Sequence, residues 1–501
     1  MKDLYGKLCS SLLEEYFGSI VQSVGNNLLC GKKTLRLIWF GTGLPLAKVK
    51  EGLCVLVKHG FVTYHQDEDN NIEYTIEQNK IIMLLRYPRF IFFVKTCCGD
   101  EAEVMIEEVL KHGYITASDV IIKTYKRIEQ TPSKSAEVPS ISQLKDIFEL
   151  LLKNRFLMRS LSFDTKLQEN DKPNYVLPNI DVRAIASKLQ NQAADLPDKD
   201  VHWKVNFDRL IEDLRDQIII SAVNQRFDKN AAELMRRMII LMELRTLSWA
   251  DTSNPIPFTE IREEIRKDPN YPELEQYLDQ YLRLIEEDNS QFIKRVGDSG
   301  GGQYSIDMKN IFKELTWATI ENIVTDKYGS KAARIFRLVR KEYDLGIDQI
   351  QRLAMLPAKE AKYLCYILAQ ENYMQIHERK RGGTSTGLTK GLFRFSIDLS
   401  KVVQMKIEHC CHALYNIIKR RDHETSSNRR MIEKQLRVQI LSDNLKEHGA
   451  TEQQLADIAE MMTPSESEQL EKAQNAIKKL AATELQIDET LFLLTLYFRY
   501  H

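Results

Sequence analysis

The chain has 501 residues, of which 43% are hydrophobic and 28% charged, and its 70 basic and 71 acidic side chains leave a formal net charge of −1. These values exclude a generally disordered chain, and the length predicts about three to five folded units rather than one domain. A nearly neutral protein has no overall field to hold it on DNA, so any contact with nucleic acid must use local basic patches.

No apolar run reaches the ~20 residues of a membrane span and the first residues form no apolar leader, so we expect a soluble intracellular protein without a membrane partner. The cysteines have no regular spacing and lie mostly in apolar helical patterns, which predicts reduced, buried thiols. The eight are Cys9, Cys30, Cys54, Cys97, Cys98, Cys365, Cys410 and Cys411.

One pattern recurs along the chain: an amphipathic helix, a two-residue break, an aromatic residue and a short apolar strand. Residues 49–64, 144–159 and 361–376 align without gaps, and residues 271–296 form a looser copy. A second short apolar segment follows each copy across a polar tip, which predicts a β-hairpin, and three helices finished by a hairpin are a winged helix. The expected strand pairs are 61–64 with 72–76, 156–161 with 175–177, 292–296 with 303–306, and 373–376 with 392–397.

Beyond residue 398, helix breakers become rare and apolar residues recur at heptad-like intervals, which predicts a helical hairpin or short coiled coil. Its arms differ in charge: residues 419–437 include seven basic and three acidic side chains, whereas 443–471 include eight acidic and one basic. The arms could pair electrostatically, or both could be solvated. A last amphipathic segment, 484–500, is expected to pack back onto the body.

The sequence therefore predicts a mainly α fold with small β wings, built from four tandem winged-helix domains and a C-terminal helical hairpin. The expected boundaries are 1–86 and 87–178 for the first two winged helices, 179–199 for a linker, 200–307 and 308–398 for the next two winged helices, 399–482 for the hairpin and 483–501 for a packing helix.

Two motifs suggest catalysis or metal binding. Residues 297–301 (GDSGG) match the nucleophile pentapeptide of chymotrypsin-like proteases, but that chemistry needs a β-barrel that brings a histidine and an aspartate to Ser299, and helices flank the motif here. A glycine-rich wing tip is favoured. Residues 409–412 (HCCH) lie on a helix, where neighbours point ~100° apart, so at most two could bind one ion. With no phosphate-binding loop either, we expect no catalytic residue, metal or cofactor.

Local basic segments are the candidates for nucleic-acid contact. Residues 378–394 contain five basic and one acidic side chain and could follow a phosphate backbone, or remain a solvated loop. Three lysines lie on the helix of the first module that occupies the recognition position, although the acidic tip 67–69 beside them favours a protein contact. The candidates are Lys48, Lys50, Lys58, Arg379, Lys380, Arg381, Lys390 and Arg394.

Five strings stand in an order that resembles one family: LRYPRFI (85–91), GDSGGGQY (297–304), ARIFRLV (333–339), LPAKEAK (356–362) and QIDETLFLL (486–494). Together with the module order, they are similar to the RNA polymerase III-specific subunit of the RPC-three type, which has four winged helices and a C-terminal coiled coil. The resemblance covers nearly the whole chain. The segment between the two halves is shorter here than the charged insertion of some members.

The resemblance implies a nuclear, non-catalytic, peripheral subunit of DNA-directed RNA polymerase III that acts in transcription initiation of small non-coding RNA genes. Members of the family sit on the clamp of the largest subunit, form a trimer with two further class-specific subunits, contact the initiation factor and help to open promoter DNA. The catalytic aspartates and magnesium belong to the largest subunits. From the residues alone, a free-standing winged-helix transcription factor, a helical scaffold of the proteasome-lid type and a hydrolase at Ser299 remain alternatives.

Overall fold

The computed structural model describes residues 2–66, 71–130, 139–160, 175–178, 180, 182–189, 197–267, 271–379, 392–447 and 462–501. The chain divides into two compact units, Met1–Leu214 and Arg215–His501. The described residues are mainly helical and form four three-stranded antiparallel sheets, so the predicted mainly α fold with small β wings is confirmed. Among these residues, no helix is both long and apolar enough to cross a bilayer.

The first module is a group of helices closed by a small sheet. Its elements are α1 (Lys2–Phe17), α2 (Ser19–Leu29), β1 (Lys33–Thr34), α3 (Leu35–Thr42), α4 (Leu46–Lys58), β2 (Val62–Gln66) and β3 (Ile72–Ile76). The strand order is β1-β3-β2, with Thr63 opposite Thr75, as the hairpin prediction requires. Val24, Val49 and Phe61 are almost fully buried, because each helix carries its apolar residues on one face.

The second module repeats this arrangement with an unexpected third strand. The first module continues into α5 (Gln78–Ile82), which packs on α1, and a 3-10 turn (Met83–Arg86) follows. The elements of the second module are α6 (Tyr87–Cys98), α7 (Asp100–His112), β4 (Ile115–Thr116), α8 (Ala117–Gln130), α9 (Ile141–Lys153), β5 (Leu157–Arg159), α10 (Val182–Leu189) and β6 (His202–Val205). The strand order is β4-β6-β5, so the return strand predicted at 175–177 is wrong. Trp203 in β6 is fully buried and packs edge-on against Phe148, with 6.0 Å between ring centroids.

The segment predicted as a linker, 179–199, contributes to this module where the structure describes it. Ile185 of α10 is fully buried, and α10 contacts both α8 and α9. The buried Asp198 carboxylate accepts hydrogen bonds from the Ser118 backbone N–H (2.8 Å) and hydroxyl (2.7 Å). We therefore propose that the second module ends after β6 rather than at residue 178.

The second unit contains two further sheets of the same kind. The elements of the third module are α11 (Phe207–Arg226), which begins in the first unit, α12 (Lys229–Arg245), β7 (Ile256–Pro257), α13 (Phe258–Arg266), α14 (Pro272–Gln276), α15 (Leu278–Glu287), β8 (Ile293–Gly297), a 3-10 turn (Ser299–Gly301) and β9 (Gln303–Ile306). Those of the fourth are α16 (Met308–Tyr328), α17 (Ser330–Glu342), β10 (Leu345–Gly346), α18 (Ile347–Ala354), α19 (Ala358–Gln370), β11 (Gln375–Arg379) and β12 (Leu392–Ser396). Ile293 lies opposite Ile306 and Ile376 opposite Phe395, so both predicted strand pairs are confirmed.

Long helices follow the fourth sheet: α20 (Leu399–Ser427), α21 (Arg429–Glu447) and α22 (Pro464–Tyr500). Neither glycine nor proline occurs after Pro464, so α22 continues to Tyr500 and the separate packing helix predicted at 483–501 is wrong. The end of α22 does pack back onto its unit: the Tyr500 ring stacks on Phe312, 5.2 Å between centroids, and its hydroxyl accepts a hydrogen bond from the buried Arg215.

Candidate nucleic-acid interface

Helix α4 presents two of the predicted lysines to solvent. Gly43, with φ +66°, ends α3, and Pro45 precedes α4, which sets the sharp turn between the two helices. Val49 and Leu56 face the core, so Lys48 and Lys50 are exposed on the two flanks of the outer face. Neither lysine forms an ion pair with any residue that the structure describes, and both are therefore free to contact a phosphate.

Lys58 is separated from the other two lysines. It is the last residue of α4 and lies about 15 Å from Lys48 along the helix axis. Its ammonium group sits 5.0 Å above the ring centre of Tyr114, in the second module. The second module also approaches the backbone here, because a Cβ atom on Gly113 would lie 2.7 Å from the Lys58 carbonyl oxygen. Lys58 thus belongs to the junction between the first two modules.

The outer face of the first module also carries apolar side chains that the sequence analysis missed. Leu37, Trp39, Phe40 and Leu46 are 56%, 39%, 65% and 39% exposed. The Trp39 and Phe40 rings lie 4.9 Å apart, and the Arg36 guanidinium is 5.8 Å from the centre of the Phe40 ring. The sequence of α3 could have predicted this exposure, because the helix is apolar around most of its circumference. An eight-residue helix of that kind cannot bury every side against one core.

The fourth module shows only part of the predicted basic loop. Arg379 ends β11, whereas Lys380, Arg381 and Lys390 lie outside the described residues, as does the acidic tip 67–69 of the first module. Arg394 in β12 is already paired, since its Nη1 atom lies 2.6 Å from Asp344 Oδ2. Its charge is therefore partly compensated within the module.

Helix α19 exposes a second basic face that was not among the predicted sites. Lys359, Lys362, Tyr363 and Tyr366 stand at helical spacing on its outer side, and the two tyrosines are 65% and 44% exposed. Lys362 occupies the same place in the repeat as Lys50, so the alignment of the copies could have identified it as a candidate for nucleic-acid contact. Lysines can pair with phosphates and tyrosine rings can stack on unpaired bases, which suits this face to nucleic acid.

The motifs that suggested catalysis or metal binding have structural explanations. Ser299 lies in the turn between β8 and β9, where Gly300 to Gly302 have φ values of +66°, +91° and +121°, and Asp298 pairs with Arg295 at 2.9 Å. The wing-tip interpretation of this motif is therefore confirmed. His409 and His412 are exposed, while burial raises the pKa of the Cys411 thiol to about 12, which disfavours a metal-binding thiolate. The described residues contain no cluster of three or more metal-binding side chains.

Some cysteine thiols are more exposed to solvent than the sequence predicts. All eight cysteines are free, as expected, but three of them, Cys30, Cys54 and Cys97, are exposed rather than buried. Each of these three lies at or next to the outer face of an amphipathic helix, and a pattern of mixed apolar residues did not distinguish the two faces.

Comparison with known proteins supports the pattern of modules. Family models match four segments: the RNA polymerase III subunit RPC82 helix-turn-helix domain at 7–67, RNA polymerase III subunit RPC82 at 123–315, the POLR3C C-terminal winged-helix domain at 320–397, and the helical hairpin domain of DNA-directed RNA polymerase III subunit RPC3 at 430–493. The chain is similar to DNA-directed RNA polymerase III subunit RPC3 of Homo sapiens, with 33% identity over 98% of this chain and 97% of the relative. The subunit of Danio rerio is 32% identical over the same shares, and that of Dictyostelium discoideum is 23% identical over 50% of this chain and 40% of its own.

Proposed function

The chain belongs to the RPC3 family of DNA-directed RNA polymerase III subunits, and from this premise we propose that it acts as an adaptor in transcription initiation. As a non-catalytic subunit, it docks two further class-specific subunits and the clamp of the largest subunit, contacts the initiation factor and assists the opening of promoter DNA. Membership of this family excludes the three alternatives that the sequence left open, namely a free-standing transcription factor, a scaffold and a hydrolase. A subunit of polymerase III acts in the nucleus.

The DNA role is supported mainly by lysines on the outward-facing helices of two modules, none of which has an ion-pair partner in the part of the chain that the structure describes. Lys48 and Lys50 on α4, and Lys359 and Lys362 on α19, are exposed, although the chain as a whole has a net charge of −1. Local positive charge on a neutral protein allows contact with the phosphate backbone without tight non-specific binding. Arg379, Lys380, Arg381 and Lys390 are proposed to extend the contact on the fourth module.

Charge reversal on assembled polymerase III tests this role. The variants Lys48→Glu/Lys50→Glu and Lys359→Glu/Lys362→Glu are compared on a linear promoter and on a template whose bubble is already open. Because each lost phosphate contact removes about 0.9 from the slope of log binding constant against log salt concentration, a double reversal is expected to lower the slope by roughly 2. Transcription from the closed template is expected to fall, and the open bubble to restore it.

The control is Lys229→Glu/Lys309→Glu, which makes the same charge change at two exposed lysines in the first turns of α12 and α16. A glutamate is favoured at the start of a helix, so this variant should fold. Unchanged salt dependence and promoter opening in both double reversals and in a triple reversal of Arg379, Lys380 and Arg381 would refute the DNA role.

A further inference from the structure

A cavity of about 290 Å³ lies inside the first unit, between the first and second modules. Its walls are the end of α4, the turn after α5, the end of α7, strand β6 and the start of α11. The walls are held by the close approach of Gly113 to the Lys58 backbone and by the stacked rings of Tyr87 and Phe207, 5.6 Å apart. The cavity is therefore a built part of the module junction.

Among the residues that the structure describes, three lysines and one carboxylate line this cavity. The lysines are Lys58, Lys80 and Lys204, and the carboxylate belongs to Asp208, which is exposed to solvent. Burial, and then the charge of Lys80, lower the pKa of Lys204, and no described residue forms an ion pair or hydrogen bond with its ammonium group. Lys80 is paired with Glu77 at 2.9 Å on the exposed side. An excess of positive charge in a confined space leaves room for an anionic group.

An apolar groove of about 550 Å³ continues from the cavity. The two share Lys58, His59, Tyr87 and Leu110. The groove is also lined by apolar side chains, which include Phe17, Leu84 and Ile91, and by Glu107, Lys111 and His112. His59 is neutral at physiological pH because burial, and then the charge of Lys58, lower its pKa to about 4. A mainly apolar surface thus begins directly beside the cationic cavity.

We infer that this groove binds a peptide segment of another polymerase subunit that carries an acidic side chain next to an apolar one. The carboxylate enters the cavity beside Lys204 and Lys58, and the apolar side chain covers Phe17, Leu84 and Ile91. The inference rests on the proposed function, in which the chain docks other subunits. A nucleic acid fits less well, because its evenly charged backbone would leave the apolar groove unmatched, whereas a peptide supplies both kinds of side chain.

Site-specific photo-crosslinking in assembled polymerase III tests the inference. A benzophenone amino acid replaces Met158, which lines the cavity, or Ile91, which lines the groove, and the crosslinked peptide is sequenced by mass spectrometry. Both positions are expected to map to one segment of a single subunit, with aspartate or glutamate within about four residues of an apolar residue, the span that one helical turn or a short strand allows. Lys204→Glu should lower both crosslink yields at least tenfold, and Lys204→Met should lower them less.

Lys126→Glu is the matched control, because Lys126 is exposed on α8 of the same unit and does not line the cavity; its yields should stay unchanged. Recovery of the wild-type chain and of each variant with the polymerase is scored in the same preparation. An intact complex without crosslinks refutes this site alone, whereas a wild-type chain that is not recovered with the polymerase refutes the proposed function. Crosslinks to DNA, to residues 161–174 of this chain, or to a segment without carboxylates would overturn the inference. So would yields that are insensitive to Lys204→Glu.

Discussion

Single residues decide how closely the first two modules approach each other. Gly113 has φ +73°, in the left-handed region, and faces the Lys58 carbonyl oxygen. Gly60 has the same φ value, but a Cβ atom there would meet no other atom within 4 Å. Alanine substitutions at the two glycines therefore distinguish the free-energy cost of a positive φ from the cost of crowding a Cβ atom against a neighbouring backbone.

Replacing Gly113 by alanine is expected to destabilise the junction more than Gly60→Ala does. Both variants place an alanine at positive φ, which costs at least about 1–2 kcal/mol, but only Gly113→Ala also pushes a methyl group against a carbonyl, which adds about 1–3 kcal/mol. Thermal unfolding and amide hydrogen exchange at residues 58–60 of the full chain would measure the difference. Equal losses in the two variants would contradict the close approach.

His59 makes the stability of this region depend on pH. Its ring lies 4.7 Å from Phe17 and 5.8 Å from Phe61, and burial lowers its pKa from 6.5 to about 4, with further contributions from Lys58 and His112. Between pH 6.5 and about 4, the folded chain therefore binds fewer protons at this position than the unfolded chain does. The stability contributed by neutral His59 is full above pH 6.5 and is lost as the pH falls towards 4.

The variant His59→Phe should weaken this pH dependence. The unfolding temperature of the wild-type chain is expected to fall more steeply between pH 7 and pH 4.5 than that of His59→Phe, which has no proton to bind. His65→Gln is the control, because His65 is exposed on β2. Parallel curves for the wild type and His59→Phe would show that His59 does not titrate differently on unfolding.

Among the elements, α20 and α22 pack side by side along much of their lengths and are joined by charged side chains. Arg421 of α20 pairs with Glu484 of α22, and the two side chains are 18% and 14% exposed. Lys434 of α21 pairs with Glu466 of α22 at 2.7 Å, with 41% and 33% exposure. The pair of Lys434 and Glu466 therefore joins the two oppositely charged arms as predicted. The pair of Arg421 and Glu484 is more deeply buried between the helices.

Arg421→Ala is expected to destabilise the helices more than Lys434→Ala. The first change leaves Glu484 largely buried without this partner, which costs about 2–4 kcal/mol, slightly less than a fully buried pair. The second removes an exposed pair worth less than about 1 kcal/mol. Urea unfolding and hydrogen exchange in α20 and α22 would compare them. If Arg421→Met/Glu484→Leu is as damaging as Arg421→Ala, the loss comes from packing rather than from removal of the Arg421 charge beside Glu484.

At the scale of the whole molecule, the net charge is close to zero, but positive charge is concentrated at particular sites. The chain has a net charge of −1, yet α4 and α19 each expose two lysines without described ion-pair partners, and the cavity at the first junction concentrates three more. Such an arrangement suits a subunit that is held in a complex by protein contacts and touches DNA only at selected faces. The division between the two units also falls inside α11, between Leu214 and Arg215, and not in the segment predicted as a linker.

Repeated local patterns in the sequence were sufficient to predict the mainly α fold, three of the four wing hairpins and the long C-terminal helices. Val49, Leu53 and Leu56 show why, because the spacing of the apolar residues in a helix predicts which of its faces is buried. The same local information identified Lys48 and Lys50 as exposed, and the glycines around Ser299 as a wing tip.

Contacts between distant residues decided the rest. Strand β6 escaped prediction because His202 and Lys204 make it look polar, and only pairing with β5 and burial of Trp203 against Phe148 identify it as a strand. Lys58 shares a helix with Lys48, but Tyr114 and Gly113, more than fifty residues away, assign it to a junction. Periodicity reports which face of an element is apolar, and only the folded chain shows which neighbour covers that face and which charges meet beside it.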